Sequence, residues 1–350
     1  LVYPKCPDVD HFILNEAEIT MPLFLADLAA GQAQQIYATD EYADLSQTPV
    51  PDFHLLSVKD YAFMNIQVTR GCPFSCNFCE ITALLGHKVR KKSAFQIINE
   101  LDVLYHTIHW RGPVSIVDDE ELMSLMAETG FGSTFIGIET PEEKSLGYCN
   151  KVQNRNRDLL GSVKKIQRAG ILVSGGFIVG FDSDTPTVFQ RQIDFIQQSG
   201  IVTAMVGLLN APKNTRLYRQ LEEENRLKSE STGNNTDFSM NFIPKMDYTL
   251  LQEGYNKIIH NIYSTKPYYA RVRQLLLNYN RLFKGKTKLS FPLLKAFLKS
   301  LLIIGLLNKG RTDYWKLIFW TLFRRPGLIV DAITFSVYGY HFRKIFGMQR

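Results

Sequence analysis

From about residue 62 to residue 209 the chain repeats one pattern: a short apolar run rich in β-branched residues, a turn, then a longer amphipathic stretch. This alternation constrains the fold more than any other feature. Each new parallel strand needs a crossover, usually a helix, to bring the chain back. The apolar runs are Phe63 to Thr69, Pro113 to Val117, Thr134 to Glu139, Ile171 to Val179 and Ile201 to Leu209. They predict an α/β fold with five parallel strands. Helices are expected between them. One opens at the capping-box pair Ser93 and Gln96 and carries Ile97, Ile98, Leu101 and Leu104 on one face. Others are expected at Glu120 to Glu128, Asp158 to Ala169 and Val188 to Gln198, each followed by a glycine within two residues. In such folds active sites gather at the carboxyl ends of the strands.

Residues 1–60 read as a short strand at Asp10 to Leu14, a helix from Glu16 to Ala30 closed by Gly31, and a polar connector with Pro49 and Pro51. After residue 212 strand signals nearly vanish. Helices are expected at Tyr248 to Ser264, Tyr268 to Phe283, Leu289 to Leu307, Tyr314 to Phe323 and Pro326 to Phe346. The expected division is therefore 1–60, a core at 61–214, and an all-helical C-terminal domain at 215–350.

Three of the five cysteines, Cys72, Cys76 and Cys79, fall within eight positions just after the first expected strand. An odd count clustered in this way does not resemble a secreted disulfide framework. Spacings of four and three suit a loop wrapped around a metal site, and Gly71 and Pro73 favour such a loop. Thiolates are the usual ligands of iron–sulfur clusters, and three of them leave one iron open. A zinc site is an alternative, but it would want a fourth ligand, and His87 is the nearest. Three unrelated buried cysteines are the plainer alternative. Cys6 and Cys149 read as bystanders.

The segment Cys72-Pro-Phe-Ser-Cys76-Asn-Phe-Cys79, with Phe78 before the last cysteine, resembles the signature of the radical S-adenosylmethionine (radical SAM) superfamily. The likeness continues in Phe135-Ile-Gly-Ile-Glu-Thr-Pro, in Gly176-Phe-Ile-Val-Gly-Phe-Asp-Ser-Asp-Thr and in the stretch from Thr236. Together these resemble the B12-binding-domain branch, which includes hopanoid C-methylases. The resemblance implies a [4Fe–4S] cluster on Cys72, Cys76 and Cys79 that cleaves S-adenosylmethionine reductively, to start radical chemistry on an unactivated carbon. It further implies a reductase or a flavodoxin- or ferredoxin-type electron donor, and a small-molecule or lipid-like substrate. Phe78 would pack on the adenine, Asp118 would meet the amino group, and Glu139 would accept from ribose hydroxyls. Gly176 and Gly180 would let backbone approach the cofactor. Each has a structural alternative: core packing for Phe78, helix capping for Asp118 and Asp119, a loop or cap role for Glu139. Arg90, Lys91 and Lys92 read as a solvated basic turn.

Two departures from the family pattern are visible. The cobalt-binding Asp-x-His-x-x-Gly signature does not occur, and residues 1–30 resemble only the last strand and helix of a cobalamin domain. That makes cobalamin doubtful on this chain. Val117-Asp-Asp also runs directly into Glu120-Glu-Leu-Met, where relatives have room for a helix and a strand. The implied fold is thus a partial (βα) radical SAM barrel of five strands instead of six. The alternative outcome is a cluster-binding but catalytically degenerate remnant.

Charge is unevenly spread. From Arg281 onward 14 Lys and Arg face two acids, Asp313 and Asp331, while the whole chain is +6. Leu298, Leu301, Leu302 and Leu306 can form an apolar face beside Lys295 and Lys299. Packing on the barrel is one reading of these helices, and weak contact with an anionic membrane surface is another. Charge alone is a poor ground for nucleic-acid binding, which is not expected. No run approaches the roughly 18 apolar residues of a membrane span. The first residues lack a signal-peptide pattern, so a cytoplasmic location is expected.

Overall fold

Along Leu172–Val179 half-buried and buried residues alternate without a break, the signature of a strand with two different faces. This strand, β8, is the middle of a three-stranded sheet in the computed structural model of the chain, which describes residues 8–57, 61, 64–107, 114–115, 132–229, 239–280 and 297–348. Its neighbours are β7 (Ser133–Glu139) and β9 (Thr203–Leu208), both parallel to it. The crossovers are helical: α4 (Glu143–Tyr148) and α5 (Leu159–Arg168) follow β7, and α6 (Thr187–Ser199) follows β8. Asp158 caps α5 by accepting from the Gly161 N–H, and Gly170 and Gly200 close the helices in the left-handed region.

Packing divides the chain into two units, Leu1–Ser75 with Cys79–Gly112 and Cys76–Phe78 with Pro113–Arg350. In the first unit, β1 (Phe12–Ile13) and β2 (Ile36–Tyr37) pair in parallel, with α1 (Ala17–Ala29) as their crossover. The expected polar connector thus contains a strand, Ile36–Tyr37. A two-residue strand has no period of its own and is set by its partner. The expected strand Phe63 to Thr69 also needs correction. Side chains alternate from Met64 onward, but the segment forms two short strands, β3 (Met64–Asn65) and β4 (Thr69–Arg70). The latter pairs antiparallel with β5 (Arg90–Lys91). After α2 (Ile81–Leu85) comes α3 (Ala94–Asp102), which opens with the expected Ser93–Gln96 capping box. Gln96 Nε2 also donates to the Leu45 and Ser46 carbonyls, so the helix start and the preceding connector hold each other.

Arg90, Lys91 and Lys92 are not a solvated turn. Arg90 pairs with Glu16 at 2.8 Å and donates to the Ala43 and Leu85 carbonyls. Lys92 is buried in an ion pair with Glu100. Only Lys91 points outward, because alternate residues of a strand face opposite sides. The partners that turn two of these cations inward are distant in sequence, so local composition did not show them.

In the second unit, the core face of the sheet carries Val173, Phe177, Val179, Ala204 and Ile138. Helices α5 and α6 and two later helices, α8 (Tyr248–Tyr263) and α9 (Thr265–Asn278), cover it, and Tyr263 donates to the Ala204 carbonyl at 2.7 Å. Between β9 and α8 lies α7 (Arg216–Glu223). From Arg216 on, the described elements are helices, apart from one bridge between Leu227 and Phe242. The last are a π-helical segment (Leu301–Leu307), α10 (Arg311–Arg324) and α11 (Ile329–Ile345). Of the second expected strand, only β6 (Val114–Ser115) is described. The expected helix Glu120 to Glu128 lies outside the described residues.

Helix α8 approaches α6 so closely that a Cβ on Gly254 would stand 2.3 Å from the Phe189 ring. Gly254→Ala should therefore overpack the core and cost about 1–3 kcal/mol, read as a lower denaturant midpoint with an unchanged slope. An unchanged midpoint would contradict this packing.

Candidate functional site

The opposite face of the sheet carries glycines among larger residues. Gly137 pairs in register with Gly176, and Ile178 with Gly207. A Cβ on Gly176 would meet the Phe135 ring at 2.9 Å, and one on Gly137 would meet the Glu139 carboxylate at 2.4 Å. Phe135 and Met205 are half exposed on this face. The Phe135 ring and the Glu139 carboxylate thus stand over Gly176 and Gly137, whereas a Cβ on Gly207 would meet nothing within 4 Å.

At the carboxyl end of β7, Glu139 adopts φ +62°, in the left-handed region that costs a non-glycine residue about 1–2 kcal/mol. The register of β7 against β8 shifts at this point. Glu139 is 8% exposed and its Oε1 accepts from Lys151 Nζ at 2.9 Å. Gln192 Nε2 holds both strand ends, donating to the Ile178 carbonyl at 2.8 Å and the Glu139 carbonyl at 3.3 Å. Asn154 Nδ2 donates to the Gly137 and Ile138 carbonyls. Strain of this kind persists where surrounding contacts over-determine it, and it clusters at functional sites.

The turn after β8 is built around Gly180, at φ +104°. Asp184 Oδ2 accepts from the Gly180 and Phe181 N–H groups, and Oδ1 from Ser145. Burial outweighs these donors and pushes the Asp184 carboxyl up. Asp182 receives a two-pronged contact from Arg226 at 2.6 Å on each oxygen, and the Tyr148 hydroxyl donates to it at 3.0 Å. Burial alone would raise Asp182. Arg226, Tyr148 and Lys245 together outweigh it and hold the carboxyl below the usual range.

The cysteine loop is held locally at both of its parts. Cys76–Phe78 packs within the second unit. There the Asn77 N–H donates to the Cys149 carbonyl, Asn77 Nδ2 to the Tyr148 carbonyl, and the Leu217 N–H to the Asn77 carbonyl, each at 2.9 Å. Phe78 meets Phe181 edge to face at 5.9 Å, and Gln153 Nε2 donates to Cys76 Sγ at 3.6 Å. Within the first unit, Gly71 at φ +87° passes so near Lys88 that a Cβ would stand 2.3 Å from its carbonyl oxygen. The Cys72 N–H then donates to the Gly86 carbonyl. Arg70, just before, is held by Glu16 and, at 2.7 Å, by Glu18.

Cys72, Cys76 and Cys79 are in no disulfide and are half-buried. Among the described residues no three His, Cys, Asp or Glu side chains gather on one metal-ion position. A cubane cluster takes each thiolate on a different iron, so its sulfurs stand farther apart than the ligands of a single ion. Thiols are the donor type such a cluster takes. Cys149 is fully buried, which pushes its thiol up to about 12, and its carbonyl accepts from the Asn77 N–H.

Of the residues expected to contact the cofactor, Phe78, Glu139, Gly176 and Gly180 all lie in the second unit, the last three on β7 and β8 and the turn that follows β8. Asp118 lies outside the described residues. Lys151, Gln153, Asn77 and Arg226 were not foreseen. Lys151 and Arg226 sit on irregular segments and Gln153 in a single 3-10 turn, Val152–Asn154, where no period marks them, and Asn77 reads only as a spacer within the cysteine motif.

Replacing Glu139 separates its two roles. Glu139→Ala and Glu139→Gly both lose the Lys151 pair, but glycine also removes the backbone strain. The glycine variant should be more stable than the alanine variant by about 1 kcal/mol, measured by chemical denaturation, and equal stabilities would argue against the strain. Arg226→Met should cost about 2 kcal/mol. Asp182 is lowered in the fold, so this stabilisation is complete above the ordinary Asp value of 3.8. It is lost as pH falls through the lowered value. The stability gap between wild type and Arg226→Met should accordingly be constant at neutral pH and shrink in acid.

Comparison with known proteins places this arrangement. Residues 215–350 match a domain of unknown function (DUF4070). An uncharacterised methyltransferase of Synechocystis is 34% identical over 379 aligned positions, covering 95% of this chain and 70% of that protein. Those positions outnumber the 350 residues here, so the relative carries residues this chain lacks. The hopanoid C-2 methylase of Rhodopseudomonas palustris is 30% identical over 66% of this chain, which spans about half of it (52%). Among solved structures, the cobalamin-dependent S-adenosylmethionine radical enzyme OxsB superposes with a TM-score of 0.52 at 13% identity, over 95% of this chain and 63% of its own. That likeness shows the fold. With its cysteine signature, its parallel strands and a relative matched along nearly its whole length, the chain belongs to the B12-binding-domain branch of the radical SAM superfamily, with the hopanoid C-methylase-like proteins.

Proposed function

We propose that this chain holds a [4Fe–4S] cluster on Cys72, Cys76 and Cys79, binds S-adenosylmethionine at the open iron and performs methylase-like chemistry on an unactivated carbon. The observation that carries this is a triplet of half-buried thiols that form no disulfide, in a chain 34% identical to a methyltransferase. When bound, the cluster supplies the electron that cleaves the sulfur–carbon bond of S-adenosylmethionine. The chain's own residues bind and orient. Phe78, braced by Phe181, offers a ring face to the adenine. The Lys151 pair engages Oε1 of Glu139, and Oε2 would accept from the ribose hydroxyls. Gly176 and Gly180 bring backbone close to the cofactor, and Asp118 would take its amino group. Lys151, Gln153 and Asn77 position this set. Electrons would come from a reductase or a flavodoxin- or ferredoxin-type protein, and the substrate would be a small or lipid-like molecule.

In this reading residues 61–214 are a partial barrel of five strands, 215–350 a helical C-terminal domain, and 1–60 the last strand and helix of a cobalamin-binding domain with its linker. The β1–α1–β2 unit suits that origin. These residues contain no Asp-x-His-x-x-Gly signature.

A second reading is a cluster-binding but catalytically degenerate relative. It is favoured by the aligned positions that exceed this chain's length. One experiment separates the two. Anaerobic reconstitution should load about four irons per chain, and Cys76→Ala should lose the brown chromophore. Dithionite and S-adenosylmethionine should then yield 5′-deoxyadenosine. Iron without 5′-deoxyadenosine would support the degenerate reading, and an unaltered chromophore in Cys76→Ala would overturn both.

A further inference from the structure

The stretch from Phe297 to Arg325 leaves an apolar surface that the core does not use. In α10 the buried residues are Tyr314, Leu317, Ile318 and Thr321, which sets the side facing the core. On the other side stand Phe319, Leu322 and Phe323, the last 85% exposed. The π-helical segment before it behaves alike. Leu301 and Ile304 pack on the core, whereas Leu298, Leu302, Leu306 and Leu307 are exposed, Leu307 at 72%. The leucines expected to pack on the barrel are thus divided, with only Leu301 of that face turned inward.

Leu306 and Phe319 line one open groove of about 810 Å³, which puts the two apolar rows side by side. The same groove is lined by Arg273, Arg311 and Lys316, and Arg273 lies over the Trp320 ring at 4.7 Å. Lys299, Lys309 and Arg324 are exposed on the same stretch. Its one carboxylate is Asp313. Contiguous exposed apolar residues with cations among them are unusual on a surface that meets only water. A second copy of this chain would bring like charges together, so self-association is disfavoured. An anionic bilayer matches both components: apolar side chains enter the boundary of headgroups and acyl chains, and cations remain at the phosphates. No helix among the described residues is long and apolar enough to cross a membrane, so attachment would be to the surface.

We propose that this surface docks the protein on an anionic lipid bilayer, with Leu306, Leu307, Phe319 and Phe323 inserted and Arg273, Arg311 and Lys316 taking lipid phosphates. The test is co-sedimentation of the full chain with phosphatidylcholine vesicles and with mixed phosphatidylcholine–phosphatidylglycerol vesicles. Binding to the mixed vesicles alone is expected, and added salt should weaken it. Arg311→Gln and Lys316→Gln should each weaken it about fivefold. Phe323→Ser should weaken it with an unchanged melting curve, because the side chain touches little of the core. No binding at low salt, equal binding to both vesicles, or variants that bind like wild type would overturn the proposal. So would a dimer in sedimentation velocity that Phe323→Ser dissolves while vesicles go unbound. The measurement needs no turnover, so its failure leaves the cluster reading untouched.

Discussion

Each strand of a parallel sheet must be followed by a crossover before the next can form, and this constraint organises the second unit. It sends the ends of β7, β8 and β9 to one edge and leaves the turns after them as neighbours. Glu139, Gly180 and Asp184 come together for that reason. The helices that return the chain also cover one face of the sheet. The other face carries Gly137, Gly176 and Gly207 beside Phe135, Ile178 and Met205. Gln192 joins the two consequences: from a covering helix, its side-chain amide binds the ends of β7 and β8 at once.

The edge is held by specific polar contacts rather than by regular structure. Glu139 turns in a backbone region that disfavours its side chain, and the register shift, Lys151 and Gln192 hold it there. The cysteine loop has no ladder of its own. Asn77 supplies one instead, using its N–H, its carbonyl and its side-chain amide. This gives the residue between Cys76 and Phe78 a structural duty. Arg226 reaches Asp182 across 44 positions of chain and ties the turn after β8 to the segment that follows α7.

The long elements were legible in advance because burial imposes a period on them. Thr134 to Glu139 and Ile171 to Val179 are strands within a residue or two of their expected ends, and the capping box at Ser93 is where its side chains required it. The short strands were less legible. Ile36–Tyr37 is two residues long, and Thr69–Arg70 changes partner within a segment whose side chains alternate as one strand would. The basic run at Arg90–Lys92 misled because its acids, Glu16 and Glu100, are not beside it in sequence.

What the sequence determined by itself was chemistry tied to local spacing: three thiols four and three positions apart, an aromatic before the last, and strand–helix alternation. These depend on neighbours along the chain, and the chain displays them directly. Tertiary structure decided which charges meet and which apolar faces stay outside. Lys151 pairs with Glu139, Arg226 with Asp182, and Leu302, Leu306 and Phe323 face outward instead of joining the core. Those outcomes depend on which surfaces the packed helices leave uncovered, and no spacing within one helix records what its neighbour covers.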